Sequence, residues 1–148
     1  MRRALVLLPC LVLAACDTGS VSEAFDADVA PVYENLPDAS VADSDDYRRQ
    51  RARLVAHLDD LIGDATAESA RACTLLPVGL KACGGPTAYR VYARTAPEAG
   101  EILQTGRRLV ALDDAAARRL GLTSTCEMVP EPAVVFEGGR CLARYRTE

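Results

Sequence analysis

The positions of the six cysteines constrain this chain more than any other feature of its sequence. Two of them, Cys10 and Cys16, lie in an N-terminal segment with a basic start, Arg2-Arg3, and an apolar stretch over residues 4–15. This order is typical of a secretory signal, so the rest of the chain is expected to fold in an oxidising compartment. The remaining cysteines are an even number, which predicts two disulfides in a chain of 148 residues that has room for one small domain. They are Cys73, Cys83, Cys126 and Cys141.

The apolar stretch ends on Leu13-Ala14-Ala15-Cys16, which resembles a bacterial lipobox. An ordinary signal-peptidase site needs a small residue three positions before the cut, and Leu13 fits that rule poorly. The resemblance implies a signal peptide over residues 1–15, cleavage before Cys16, a diacylglyceryl group on the Cys16 sulfur and an acyl chain on its new amino group. Since two lipid chains already anchor a protein stably, three would hold it firmly. The alternative is an uncleaved anchor or a buried helix, but 12 apolar residues interrupted by Pro9 span too little hydrocarbon.

Residues 16–46 are predicted to form a lipidated, acidic, disordered tether. From Asp17 onward this stretch has nine acidic side chains and no basic one, a composition that buries too little apolar surface to fold. Such a tether would extend to at most about 100 Å. Residues 47–148 hold 15 basic and 12 acidic side chains, so a weakly basic folded domain is predicted to follow.

The start of the folded part predicts a helix, because apolar residues recur there at steps of three and four. Ser44 or Asp43 would cap this helix, and Gly63 would end it. A shorter helical turn is predicted over 65–72. Alternation of apolar and polar residues then predicts a half-buried strand over 87–94.

A second, longer helix is predicted over 95–120. Thr95 followed by Glu98 is a capping-box pattern, which marks the start of a helix. Gly106 weakens the helix and is a position where it could break. Gly121 is its natural end.

The last part of the chain predicts a β-hairpin, with strands over 133–137 and 140–146 on either side of Gly138-Gly139. In that register Phe136 faces Cys141, and both belong to the core side of the hairpin. The elements together predict an α+β domain of two main helices packed on a small antiparallel sheet with a C-terminal hairpin. Choosing the two shortest loops among the three possible connectivities pairs the disulfides as Cys73–Cys83 and Cys126–Cys141.

The most distinctive local pattern is C-x9-C-G-G-P, from Cys73 to Pro86. Together with Thr-Ser-Thr-Cys126 and the hairpin around Cys141, it resembles a group of small, uncharacterised bacterial lipoproteins. The resemblance covers most of residues 70–142 and implies no activity. This chain departs from the group at Thr125, where the group has an acidic residue before the third cysteine.

One functional hypothesis for the 73–83 loop is inhibition of a protease or lysozyme. A Cys73–Cys83 disulfide would hold an exposed, extended segment, and Lys81, the single lysine of the chain, would be its specificity residue. Such preorganisation lowers the entropic cost of binding. The simpler interpretation, which we favour, is a structural strand and turn with a solvated Lys81, because small secreted domains commonly use disulfides as staples.

A second hypothesis is that five arginines line one face of the sheet. Guanidinium groups at this spacing suit phosphates or carboxylates, so the candidate ligands are anionic lipid headgroups, cell-wall carboxylates and the acidic tether. The alternative is an ordinary solvated arginine face. The residues are Arg90 and Arg94 on the predicted strand, and Arg140, Arg144 and Arg146 on the hairpin.

The sequence predicts no enzyme, cofactor or metal site. The single histidine, His57, lies on the first predicted helix beside Asp60 with no nucleophile motif. The cysteines lack the paired C-x-x-C spacing of a zinc site, and the glycine-rich turn lacks the order of a phosphate-binding loop.

We therefore expect a lipid-anchored, non-catalytic binding module on the periplasmic side of the cell envelope, with the protease or lysozyme inhibitor as the alternative. Asp17 after the lipidated cysteine resembles an inner-membrane retention signal, but the choice between inner and outer membrane stays open. The expected partners are the membrane, through the lipid on Cys16, and an anionic envelope ligand or an envelope protein. Nucleic acid is not expected, because no binding motif is present.

Overall fold

The computed structural model describes residues 30–146. The predicted signal peptide, the lipidation site Cys16 and residues 17–29 of the predicted tether lie outside the described residues. No helix within 30–146 is long and apolar enough to cross a membrane. The elements are α1 (Ala30–Tyr33), α2 (Ser44–Ile62), a 3₁₀ turn (Ala70–Ala72), β1 (Cys73–Val78), β2 (Ala88–Ala93), α3 (Ala99–Leu120), β3 (Ala133–Glu137) and β4 (Arg140–Arg144).

The domain has three layers, with the β1–β2 sheet in the middle. Both sheets are antiparallel pairs, β1 with β2 and β3 with β4. One face of β1–β2 packs on α2 and α3, where Leu76 and Tyr92 meet Leu58. The opposite face packs on the β3–β4 hairpin, where Leu75 and Val91 share a cluster with its core side. This arrangement confirms the predicted α+β class.

Local signals set the bounds of α2. The Asp43 carboxylate accepts hydrogen bonds from the backbone N–H groups of Asp45 and Asp46, at 2.9 and 2.8 Å, as an N-cap residue does. Gly63, with φ of +50°, ends the helix. Of the two capping residues that the sequence offered, Asp43 is therefore the one used.

The start of α3 differs from the prediction. Glu98 precedes the helix without a side-chain capping bond, because Thr95 and its neighbours are taken up in tight turns that run from Ala93 to Ala99. Gly106 does not break the helix. A Cβ atom there would lie 3.3 Å from Leu76 Cδ1, so the missing side chain allows β1 to pack closely against α3.

The hairpin forms in the predicted register, with Phe136 opposite Cys141 and Glu137 opposite Arg140. The short helix predicted over 65–72 is largely replaced by extended chain that pairs with β4. Cys141 N–H donates to the Ala65 carbonyl, and Ala67 N–H donates to the Gly139 carbonyl, both at 2.9 Å. Only residues 70–72 remain helical.

The predicted disulfide connectivity is wrong, since the bridges join Cys73 to Cys141 and Cys83 to Cys126. The first bridge links the middle layer to the hairpin layer, and the second is nested inside it. Loop-closure entropy grows by only about 0.6 kcal/mol for each doubling of loop length. A preference for short loops is therefore too weak to oppose the stacking of the two sheets, which brings the Cα atoms of Cys73 and Cys141 to 5.4 Å.

Residues 30–46, predicted as the end of a disordered tether, pack against the domain, so the predicted boundary at residue 46 is wrong. Val32 is completely buried and joins the main core with Leu58 and Leu76. Val41 is 7% exposed and packs with Leu112 of α3. Average composition hid these apolar residues among the acidic ones. Only residues 17–29 separate Cys16 from the described part of the chain.

Candidate functional site

The buried carboxylate of Asp113 holds the start of the connection between β1 and β2, residues 79–87, by a hydrogen bond. Its Oδ1 accepts hydrogen bonds from Tyr47 Oη, at 2.9 Å, and from Arg51 Nε, at 3.0 Å. Its Oδ2 accepts the backbone N–H of Leu80 at 2.9 Å. A buried carboxylate with this many donors is well compensated for its lost hydration. Asp113 of α3 therefore ties the 79–87 turn to both helices.

Gly79 and Thr87 complete this network at the two ends of the turn. Arg51 Nη2 donates to Thr87 Oγ1 at 2.8 Å, and Thr87 Oγ1 donates to the Val78 carbonyl at 2.8 Å. Gly79 has φ of +69°, and a Cβ atom there would lie 2.4 Å from Asp113 Oδ2. The carboxylate fits only because this residue has no side chain.

A second set of contacts holds the tip of the turn to the segment 121–132. The Cys83–Cys126 disulfide joins the two segments covalently. Lys81 Nζ donates to the Glu127 backbone carbonyl. Within the turn, Lys81 N–H donates to the Gly85 carbonyl at 2.9 Å. The turn is therefore fixed both at its base and at its tip.

A groove of about 240 Å³ lies beside this turn. Its lining is mainly apolar and aromatic, with one carboxylate, which is the usual composition of a binding site. Tyr145, which is 49% exposed, stands close enough to Tyr89 to affect its ionisation. We call it the tyrosine groove, lined by Tyr33, Pro77, Leu80, Pro86, Tyr89 and Glu131.

The phenols of the tyrosine groove stay protonated well above neutral pH. Burial, and then the neighbouring Tyr89, raise the pKa of Tyr33 to about 12. Burial, Glu131 and Tyr145 raise the pKa of Tyr89. The Tyr33 hydroxyl is also buried with no hydrogen-bond partner among the described residues. The groove therefore combines apolar and aromatic surface with phenols that carry no charge at neutral pH.

The prediction that five arginines line one face is wrong. Arg90 lies on the helix side of β2, where its Nε contacts Asp59 Oδ1 of α2 at 2.8 Å. Arg94 follows four residues later, just past the end of β2, and the alternation of the strand assigns it to the same side. The hairpin forms a separate layer on the opposite side of the sheet. Its arginines alternate with the inward-facing Cys141, so they lie on its outer surface.

Carboxylates also neutralise three of these arginines. Besides the Arg90 pair, Arg144 Nη2 lies 2.6 Å from Glu137 Oε1, and Arg140 Nη1 lies 3.7 Å from Asp64 Oδ1. Arg146 is exposed at the end of the described residues. The five residues do not form the continuous cationic surface that a polyanionic ligand would need.

The 73–83 segment does not have the geometry predicted for an inhibitor loop. Its two cysteines are not bonded to each other, and residues 73–78 form a completely buried strand. Lys81 is held against the Glu127 carbonyl. The strand and turn of the simpler interpretation are therefore present, whereas its solvated Lys81 is wrong, because Lys81 Nζ donates to the Glu127 carbonyl.

His57 lies on the outside of the helical layer. Its Nε2 is 3.1 Å from Glu101 Oε1 of α3, and both side chains are about half exposed. The predicted neighbour was Asp60. Within residues 30–146, no group of three or more histidine, cysteine or acidic residues is placed to hold a metal ion.

The sequence did not predict the tyrosine groove, because its lining comes from segments far apart in the chain. Tyr33 lay in the predicted tether, and Glu131 lay in an unassigned connection. The Cys-Gly-Gly-Pro86 turn was the available signal, since it marks a shaped and covalently fixed loop. No family model, curated protein or solved structure matches this chain, so the resemblance to small lipoproteins stays a prediction.

Proposed function

We propose that this protein is a lipid-anchored component of the bacterial cell envelope, on its periplasmic side, and that it is a non-catalytic binding module whose binding surface is the tyrosine groove. The observation that carries the envelope location is the cysteine pairing. All four cysteines of the described domain are bonded to one another, as expected for an oxidising compartment. Cys10 would be removed with the signal peptide, which leaves Cys16 for the lipid.

The preorganisation of the groove supports a role in binding. Asp113 fixes the base of the 79–87 turn and the Cys83–Cys126 bridge fixes its tip, so little conformational entropy remains to be lost when a partner binds. The half-buried Tyr33 and Tyr89 suit such a surface, because their rings contribute apolar contact. These features favour the tyrosine groove over the arginines predicted from sequence.

The proposal also places the domain near its membrane. With Val32 in the core, only residues 17–29 remain between the lipidated cysteine and the described part. Thirteen residues reach at most about 45 Å. The domain would thus stay much closer to the bilayer than the predicted tether of about 100 Å would allow.

Intact mass spectrometry of the protein from bacterial membranes, before and after reduction and alkylation, tests the anchor. We expect a chain that starts at triacylated Cys16 and four alkylated thiols that appear only after reduction. Cys16→Ala should abolish the lipid mass, whereas the matched variant Cys10→Ala should leave the mature mass unchanged. An unlipidated wild-type chain, or thiols that alkylate without reduction, would remove the envelope premise.

A further inference from the structure

We infer that the tyrosine groove and the exposed segment beside it rest on the lipid bilayer to which the chain is anchored. This inference rests on the proposed function, because it requires the lipid on Cys16. The binding partner of the groove would be the headgroup region of the bilayer itself. The domain would then have a fixed orientation on the membrane.

The chain enters the domain beside the tyrosine groove. Ala30, the first described residue, lies three helical positions before Tyr33, which is a rise of about 4.5 Å. Tyr33 lines the tyrosine groove. The link from Cys16 therefore enters the domain beside the groove, so this side of the molecule is the one closest along the chain to the lipid anchor.

An exposed apolar side chain lies on the same side of the molecule. Met128 is 88% exposed, and it lies between two points that are fixed to the groove. Two residues before it, Cys126 is bonded to Cys83, and three residues after it, Glu131 lines the groove. An exposed methionine beside a tyrosine-lined groove suits the boundary between lipid headgroups and acyl chains, where tyrosine is enriched.

The charges nearby distinguish this mode of binding from an electrostatic one. Glu131 lines the groove and Glu127 lies in the segment beside it. Lys81 is held to the Glu127 backbone, and Arg90, which donates to the Tyr89 carbonyl, is paired with Asp59. The two carboxylates would oppose attraction to anionic lipid. Insertion of apolar side chains must therefore provide the attraction, and we expect membrane contact that depends little on salt or on the anionic lipid content.

Because the chain has no tryptophan, a single introduced tryptophan reports membrane contact at one chosen position. Met128→Trp places the reporter beside the groove. Glu68→Trp places the reporter near Cys73, at the end of the β1–β2 sheet opposite to the groove. The six residues of β1 separate the two ends of the sheet by roughly 20 Å. Both residues are exposed, so neither change disturbs the core, and both variants share any intrinsic affinity of tryptophan for membranes.

The experiment uses the acylated full-length protein, with its lipid verified by mass, in phosphatidylcholine vesicles with and without phosphatidylglycerol. Lipids brominated in their acyl chains are the quencher. We expect several-fold stronger quenching of Met128→Trp than of Glu68→Trp, unchanged by salt. Equal quenching of the two reporters would overturn the inference while leaving the lipid anchor intact. A fluorescence shift of Met128→Trp that depends on the concentration of the unlipidated chain, without vesicles, would instead assign the surface to a second copy of the chain.

A second measurement removes the anchor. For a chain that begins at residue 17, without the signal segment or the lipid, Met128→Ser should weaken partition into phosphatidylcholine vesicles about tenfold, since burial of one large apolar side chain contributes that much. The matched change Leu142→Ser removes an exposed apolar residue from the outer face of the hairpin and should have little effect. Equal effects of the two changes would contradict the assigned surface.

Discussion

Gly79→Ala tests whether the buried Asp113 network dictates the shape of the 79–87 turn. The added methyl group would start 2.4 Å from Asp113 Oδ2 and 2.6 Å from Thr87 Oγ1. Ordinary contact begins at 3.4 Å, so the carboxylate would have to move by about 1 Å. That movement would break its hydrogen bond from Leu80 N–H. It would also disturb the Arg51 contacts with Asp113 and Thr87.

The expected cost has two parts. The left-handed backbone at φ of +69° costs an alanine about 1–2 kcal/mol. Displacing a buried, hydrogen-bonded carboxylate adds about 2–3 kcal/mol, because hydrogen bonds to a charged group are lost without replacement by water. We therefore expect the free energy of unfolding to fall by about 3–5 kcal/mol.

Gly84→Ala is the matched control. Gly84 also has a positive φ, of +92°, but a Cβ atom there meets no atom within 4 Å. Only the backbone part of the cost, about 1–2 kcal/mol, should appear. Urea unfolding of the purified chain with both disulfides intact, followed by circular dichroism, measures both values. If the two variants lie within about 0.5 kcal/mol of each other, the steric argument is refuted.

Two further predictions concern the tyrosines and the disulfides. Burial, and then the neighbouring Tyr89, raise the pKa of Tyr33 to about 12. Burial, and then Asp113, raise the pKa of Tyr47 to about 12. Because folding favours the neutral phenols, the stability that they contribute is complete below pH 10 and is lost as the pH rises to about 12. Tyrosinate absorbance should show these two phenols titrating at a pH well above 10, and Tyr33→Phe and Tyr47→Phe should each remove one of these high-pH titrations. Titration of all phenols near pH 10 in the folded protein would contradict this. Graded reduction should open Cys83–Cys126, whose cysteines are exposed, before Cys73–Cys141, whose cysteines are 8% and 3% exposed. Alkylation and peptide mapping would show the order, and early labelling of Cys73 would contradict it.

The parts of the fold that the sequence predicted correctly are set by short-range interactions. The hairpin register follows from Gly138-Gly139 and the alternation on either side of it. The bounds of α2 follow from the Asp43 cap and Gly63. In each case the residues that decide the structure lie within a few positions of the element that they form.

The parts that failed depend on contacts between distant segments. The disulfide connectivity is decided by the stacking of the hairpin on the β1–β2 sheet, which brings Cys73 to Cys141 across a separation of 68 residues. Val32 and Val41 lie in a stretch whose average composition is that of a disordered chain, yet both reach the core. Composition measures the mean of a segment, whereas folding requires only that a few of its side chains be buried.

The two disulfides have different consequences for the domain. Cys73–Cys141 joins two layers of the core, and with Cys83–Cys126 closed it constrains an effective loop of 25 residues, the difference of the two separations. By loop entropy alone it contributes about 3.5 kcal/mol. Cys83–Cys126 joins two irregular, exposed segments outside the core clusters, so it adds no core packing. Beyond loop entropy, its structural effect is to hold the 79–87 turn against the segment that carries Met128 and Glu131, and so to keep the two sides of the tyrosine groove together. Reduction of this bridge should therefore alter binding at the groove under conditions that leave the core folded.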